Sequence, residues 1–253
     1  MTSGRIPPVN RFVASLALLL LAAPALAAGS MVDVKSGNET IQAYLATPAG
    51  GAKGAPAIVV VQEWWGLTDW VKGIADRFAA QGYVAIAPDL YRGKVATTPE
   101  LAHELSRGLP QTRALGDIRA AAAYVDRLGA KKTGVIGFCM GGGLAQRAAL
   151  DKGPFDAAVM AYGPPESSPE KLKTLKGPLL GIFGADDQGI GPDQTGPLQV
   201  ALAKYGKPGS AVHVYPGVGH AFLREKADGD QARLAWGEID GFLAKQLNLK
   251  GGK

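Results

Sequence analysis

The chain holds a single cysteine, and it stands at the centre of a Gly-x-nucleophile-x-Gly pentapeptide, Gly137-Phe138-Cys139-Met140-Gly141. A thiol attacks a carbonyl only as its thiolate, so it needs a base within reach. Two later segments carry the groups such chemistry requires, Gly184-Ala185-Asp186-Asp187 and Gly217-Val218-Gly219-His220. The imidazole can take the thiol proton, and a carboxylate on the far ring nitrogen fixes the tautomer and supports the imidazolium. Asp187 is preferred to Asp186 because it stands three residues beyond Gly184, although either could simply cap the turn before Gly189. Of the three histidines, His213 lies inside a strand-like run and His103 on a helix expected at the surface. His220 lies on a glycine-rich loop after the last strand-like run. Each piece alone is common; the order nucleophile, acid, histidine is what makes them specific jointly.

These residues need elements to position them. Lys132–Ile136 reads as a short buried strand before the pentapeptide, and Gly142–Leu150 as a helix after it. A strand, a tight glycine-flanked turn and a helix are the context of the nucleophile elbow of an α/β-hydrolase fold. The flanking glycines fit a strained turn that neighbouring chain approaches closely. Further strands are expected at Met31–Lys35 and Thr40–Ala46, as a hairpin around Ser36–Glu39, and at Ala57–Val61, Tyr83–Ala87, Ala157–Tyr162, Pro178–Phe183 and Ala211–Tyr215. Ala57–Val61 is a continuous apolar run, the pattern of a parallel strand buried on both faces. Helices are expected at Asp69–Gln81 with Asp69 as N-cap, Thr98–Arg107, Gln111–Leu128, around Pro197–Lys204, and at Gln231–Leu247. Strands alternating with helices imply a mostly parallel central sheet with helices on both faces, and a site beyond the carboxyl ends of its strands. All three chemical segments follow such strands.

The first 28 residues read as a signal peptide. Arg5 and Arg11 make a positive n-region, Phe12–Leu21 an apolar stretch too short to span a bilayer, and Ala25-Leu26-Ala27 a cleavage motif with the cut near Ala27 or Ala28. Residues 29–253 are then expected to form one domain, periplasmic or secreted, with no stable hold on the membrane after cleavage; Met31 as an internal start is the alternative. Without Arg5 and Arg11 the charge falls from +5 to 25 Lys+Arg against 22 acids, or +3, with no basic stripe, which argues against nucleic-acid binding. Exported proteins usually pair their cysteines, and Cys139 has no partner. A buried packing thiol is the plain alternative, but such a thiol rarely falls between glycines at a strand–helix turn.

The chain resembles the dienelactone hydrolase (carboxymethylenebutenolidase) family. The segments that carry the resemblance are Gln62-Glu63-Trp64-Trp65-Gly66, Ala87-Pro88-Asp89-Leu90-Tyr91, Gly137–Gly142, Gly184–Asp187 and Gly219-His220-Ala221-Phe222-Leu223-Arg224. The resemblance implies that Glu63 contacts the resting thiol and helps to generate the thiolate once substrate displaces it. It implies an oxyanion hole from the backbone N–H groups of Trp64 and Met140, where donors must face the oxygen that becomes negative. It implies that Arg224 grips a substrate carboxylate, as a guanidinium fork does bidentately, and that Tyr91, Trp65 and a second arginine help to line the pocket. Here the spacing departs from the family pattern: Arg92 follows Tyr91 directly, which leaves open whether it reaches the pocket and whether the namesake lactone is the substrate.

The expectation is therefore a monomeric, cofactor-free cysteine hydrolase of small esters or lactones, anionic ones among them. The histidines are not spaced as metal ligands, one cysteine is too few for a structural zinc, and no phosphate loop is present. A thiol redox or peroxide-sensing protein, a general carboxylesterase and a non-catalytic binder on the same fold are the rival readings.

Overall fold

The computed structural model describes Met1 and residues 29–249; the leader expected over residues 1–28, apart from Met1, lies outside the described residues. One eight-stranded sheet runs through them in the order β1-β2-β4-β3-β5-β6-β7-β8. Its strands are β1 (Ser30–Ser36), β2 (Glu39–Ala46), β3 (Ala57–Val61), β4 (Val84–Pro88), β5 (Thr133–Phe138), β6 (Ala157–Ala161), β7 (Leu179–Gly184) and β8 (Ala211–Tyr215). β1 and β2 form the expected hairpin, turning at Gly37 with φ of 57°, and β2 pairs antiparallel with β4. Every other pairing is parallel.

Helices cover both faces because β3 to β7 are apolar on both. On one face α3 (Gln111–Arg127), α4 (Met140–Ala149) and α6 (Pro192–Tyr205) set Ile118, Val125, Ala145, Ala148 and Leu198 against Val59, Val61 and Val135. On the other, α1 (Asp69–Ala80) and α8 (Asp230–Leu247) set Val71, Phe78, Ala235 and Ile239 against Ile58, Val60 and Ile136. Buried on both sides, these strands could not show the alternating pattern of a half-exposed sheet. α2 (Pro99–Arg107) and the single turns α5 (Pro169–Leu172) and α7 (Phe222–Glu225) complete the helices.

β3 lies between β4 and β5, so the connection after β3 leaves in one direction and the connection after β5 in the other. The crevice opened at this reversal is where ligands enter open parallel sheets, and the loop after β3 and the turn after β5 face each other across it.

Several boundaries differ from expectation. α1 has Thr68 at its N-cap with no side-chain cap bond; Asp69 sits inside the first turn, where its charge favours the helix dipole. β5 continues through Gly137 and Phe138, which pair with β3 and β6, and α4 begins at Met140 rather than Gly142. A single residue, Cys139, therefore joins strand to helix. α6 starts at Pro192, whose missing N–H suits a first helical position, and Pro197 lies inside it.

Candidate active site

The turn at Cys139 is held by close packing of backbone. Cys139 has φ 54° and ψ −123°, a conformation that costs a non-glycine residue of order 1–3 kcal/mol. Its N–H donates to the Ala161 carbonyl at 3.0 Å, and its own carbonyl accepts from Gly142 N–H at 2.9 Å. The flanking glycines are required by space. A Cβ on Gly137 would stand 1.9 Å from the Gly141 carbonyl oxygen, and one on Gly141 would stand 2.3 Å from that of Gln62. The pentapeptide is thus clamped between its own helix and the end of β3, with the Cys139 thiol half-buried at the surface of the crevice.

His220 and Asp187 come from the loops after β8 and β7. His220 Nδ1 lies 2.7 Å from Asp187 Oδ2. Asp187 Oδ1 accepts from the backbone N–H groups of Gly189 and Ile190 at 2.8 and 3.0 Å. The Asp187 side chain is 1% exposed and that of His220 39% exposed, so a fixed, buried carboxylate backs an open imidazole. Asp186 is exposed and makes no such contact. The neighbouring Cys139 side chain, and after it Asp187, push the His220 imidazole up to about 9 against the opposing effect of its burial.

Glu63 and Trp64 extend from β3 toward this pair. Glu63 is 2% exposed, and burial raises its carboxyl above the usual range while Arg224 and His220 pull it down. Arg224 Nε stands 3.4 Å from Glu63 Oε2 without hydrogen-bond geometry, so the contact is an ion pair only. Glu63 thus has Arg224 as its partner in this state. Arg224 also pairs with Glu225 and lies 6.0 Å from the centre of the Trp65 ring. The N–H groups of Trp64 and Met140 have no acceptor among the described residues. The loop after β3 is pinned from behind: buried Gln62 accepts the Leu90 N–H, and Gly66 has φ 102° where a Cβ would meet the Lys94 carbonyl at 2.7 Å.

Two of the expected lining residues lie elsewhere. Arg92 Nη1 is 2.7 Å from Asp117 Oδ2 and Arg92 Nη2 is 2.8 Å from Glu39 Oε2, and it lines neither cavity at Cys139. Asp117 is 1% exposed, and a buried carboxylate holds its cation firmly. Arg92 itself has φ 56°, and one of its two partners, Glu39, opens β2 at the hairpin. Tyr91 is buried, and its hydroxyl donates to Met140 Sδ at 3.5 Å; it supports the turn from below rather than lining the cavities.

Three residues that the sequence did not single out as site residues stand here. Tyr162, at the end of β6 with φ 40°, sets its ring 5.2 Å from that of His220, and its buried hydroxyl has no partner. His103, expected on a surface helix as a solvated or packed histidine, is exposed and packs edge-on against Trp64 at 4.8 Å. Arg147, on α4, lines the same cavity as both. A sheet order, once known, would have flagged Tyr162, because pairing of Phe138 with Ala161 places it beside Cys139.

Two cavities, of 520 and 380 Å3, open on Cys139 and His220. A larger recess of 710 Å3 lies at the amino ends of β3 and β5 and holds neither thiol nor histidine. Among the described residues no group of His, Cys, Asp and Glu could hold a metal ion. The arrangement can supply a nucleophile, a base with an oriented tautomer, two free N–H donors and a cation for an anionic substituent.

Comparison with known proteins identifies the family and the fold. Residues 41–246 match the sequence model of the dienelactone hydrolase family. "Protein usf" of Aquifex pyrophilus is 35% identical, over 87% of this chain and 99% of its own length. "Putative carboxymethylenebutenolidase" of Aquifex aeolicus is 33% identical over 79% of this chain and 89% of its own. Among solved structures, "Putative Dienelactone Hydrolase" from Klebsiella pneumoniae superposes with a TM-score of 0.76 at 28% identity, covering 85% of this chain and 98% of that one. The fold is that of the α/β-hydrolases.

Proposed function

The chain belongs to the dienelactone hydrolase family and is a hydrolase of carboxylic ester bonds, and from that premise we propose that it cleaves small esters or lactones through a Cys139–His220–Asp187 triad and a thioester acyl-enzyme. His220 Nε2 takes the thiol proton as sulfur adds to the carbonyl carbon, and Asp187 supports the imidazolium. The carbonyl oxygen, now negative, accepts from the Trp64 and Met140 N–H groups, which have no other acceptor among the described residues. The C–O bond breaks and His220 returns the proton to the leaving alkoxide. Water then adds to the thioester, His220 takes its proton, and the C–S bond breaks to restore the thiol and release the acid.

Glu63 acts on the resting thiol in this reading. An anionic substituent that draws Arg224 away removes the counter-charge of Glu63, whose carboxyl is already raised by burial. The freed carboxylate can then take the thiol proton and hand it on to His220, so that one proton is moved in all. Export by the leader would set this chemistry in the periplasm or outside the cell.

The observation that carries the proposal is the 2.7 Å contact between His220 and a buried Asp187 beside the sole cysteine on a strained strand-to-helix turn. The test is turnover of cis- and trans-dienelactone and 4-nitrophenyl acetate by the protein and by its Cys139→Ala and His220→Ala variants. Loss of at least a thousandfold in both variants is expected, with an acyl adduct on Cys139 seen by mass in a quenched reaction. Equal slow rates in all three proteins would sink the proposal.

A further inference from the structure

The two cavities that meet at Cys139 differ in their walls. The first, of 520 Å3, carries Glu63, Asp186, Asp187, Arg224 and Glu225 beside His220, a mixture of both charges in which Arg224 pairs with Glu63 and Glu225, and Asp187 with His220. The second, of 380 Å3, is walled by Trp64, Met140, Leu144, Tyr162 and Ile190, and no carboxylate lines it. Its cations are Arg147 and, with its proton held up to about 9, the catalytic His220; His103 and Ser106 are its other polar walls. A mostly apolar cavity within the ~300–1,000 Å3 range and with a few convergent polar groups has the make-up of a small-molecule subsite.

Arg147 folds back along α4 toward the helix end at which Cys139 stands. Side chains on an α-helix tilt toward its N-terminus, and the N-terminus of α4 is the Cys139 turn. The guanidinium folds back over Gly143, one turn earlier: a Cβ there would stand 2.8 Å from Arg147 Nη1. Arg147 makes no ion pair among the described residues. Glu166 feels its charge, but that carboxylate accepts the Ser168 N–H at 2.8 Å. Arg92, by contrast, is committed to Asp117 and Glu39.

We propose that the second cavity is a subsite for an apolar acyl chain ending in a carboxylate, and that Arg147 reads that charge on the opposite side of Cys139 from Arg224. The reading rests on the hydrolase proposal above and gives it a substrate class, the half-esters of medium-length dicarboxylic acids. The apolar walls take the methylenes, and the unpaired guanidinium takes the terminal carboxylate by charge-assisted hydrogen bonds.

The test compares kcat/KM for 4-nitrophenyl hydrogen adipate with that for 4-nitrophenyl hexanoate, an ester of equal chain length without the charge. The ratio is expected to fall about tenfold (~1.4 kcal/mol) in Arg147→Gln and to recover in part in Arg147→Lys. A ratio that survives in Arg147→Gln, or that collapses in Arg224→Gln alone, overturns the proposal. Calorimetric titration with 4-phenylbutanoate and 4-phenylbutanol separates the two claims, because neither ligand is hydrolysed. Carboxylate-dependent binding lost in Arg147→Gln, in a protein that turns over neither ester, would keep the subsite and sink the hydrolase reading. Equal binding in the native protein and in Arg147→Gln would sink the subsite.

Discussion

Replacing Asp187 by asparagine tests the triad with almost no change of shape. One oxygen of Asp187 accepts two loop N–H groups, from Gly189 and Ile190, while the other meets His220 Nδ1 at 2.7 Å. In Asp187→Asn the loop amides still demand an acceptor, so the amide oxygen stays with them and the amide NH2 turns toward the imidazole. Nδ1 must then accept, the ring proton moves to Nε2, and Nε2 can no longer take a proton from the thiol. The same wrong-tautomer substitution in a serine triad costs about 10^4, and a loss of 10^3 to 10^4 in kcat/KM is expected here. The thermal midpoint should move little, since both loop N–H groups keep an acceptor. Asp187→Ala differs. The Gly189 N–H is on an exposed residue and water can replace its acceptor, but Ile190 is buried. An orphaned buried N–H costs about 1–3 kcal/mol, roughly 3–9 °C in Tm for a chain of this size. The assay is steady-state hydrolysis of 4-nitrophenyl acetate, with melting followed by circular dichroism. An Asp187→Asn protein with more than a tenth of the native kcat/KM, or one that melts as early as Asp187→Ala, would refute the reasoning.

Two further outcomes are expected. His220 in the folded protein is raised from 6.5 to about 9, chiefly by Cys139, so its contribution to stability is full below pH 6.5 and is lost as the pH rises through 9. Tm should fall across that window, and should fall less in Cys139→Ala; identical slopes for the two proteins would remove Cys139 as the cause. Arg92→Ala strips the counter-ion from Asp117 and leaves it the Ser36 hydroxyl, which donates to it at 2.6 Å. Breaking such a pair costs about 3 kcal/mol, visible as a lower urea midpoint, while KM for anionic esters stays within twofold because Arg92 lies outside the cavities.

What could be read in the sequence follows from what is local. The buried strands β3, β5, β6 and β7 announce themselves as apolar runs, and Cys139 and Asp187 follow two of them closely enough to be placed at strand ends; His220 follows β8, a half-buried strand of β-branched and aromatic residues. The elbow boundaries were less legible. Gly137 and Phe138 read as turn residues, yet they pair in the ladder because Gly137 admits the Gly141 backbone against it. Arg92 carried the right chemistry at nearly the right spacing, but a buried aspartate on α3, far away in sequence, decides where it goes. Tyr162 and Arg147 offered no motif at all. One reaches the site through the sheet order and the other through the direction of a helix, and neither is a property of neighbouring residues.

The clamp around Cys139 also separates two questions that a nucleophile usually poses together. The glycines at 137 and 141 are dictated by approaching carbonyls, and the positive φ belongs to the main chain. None of these constraints touches the atom beyond Cβ. The turn is a socket that would seat a hydroxymethyl group as readily as a thiomethyl one, so folding exerts no preference between oxygen and sulfur. In the mechanism proposed above, sulfur matters there for its acidity: a thiol gives up its proton to a neighbouring base far more readily than a hydroxyl does.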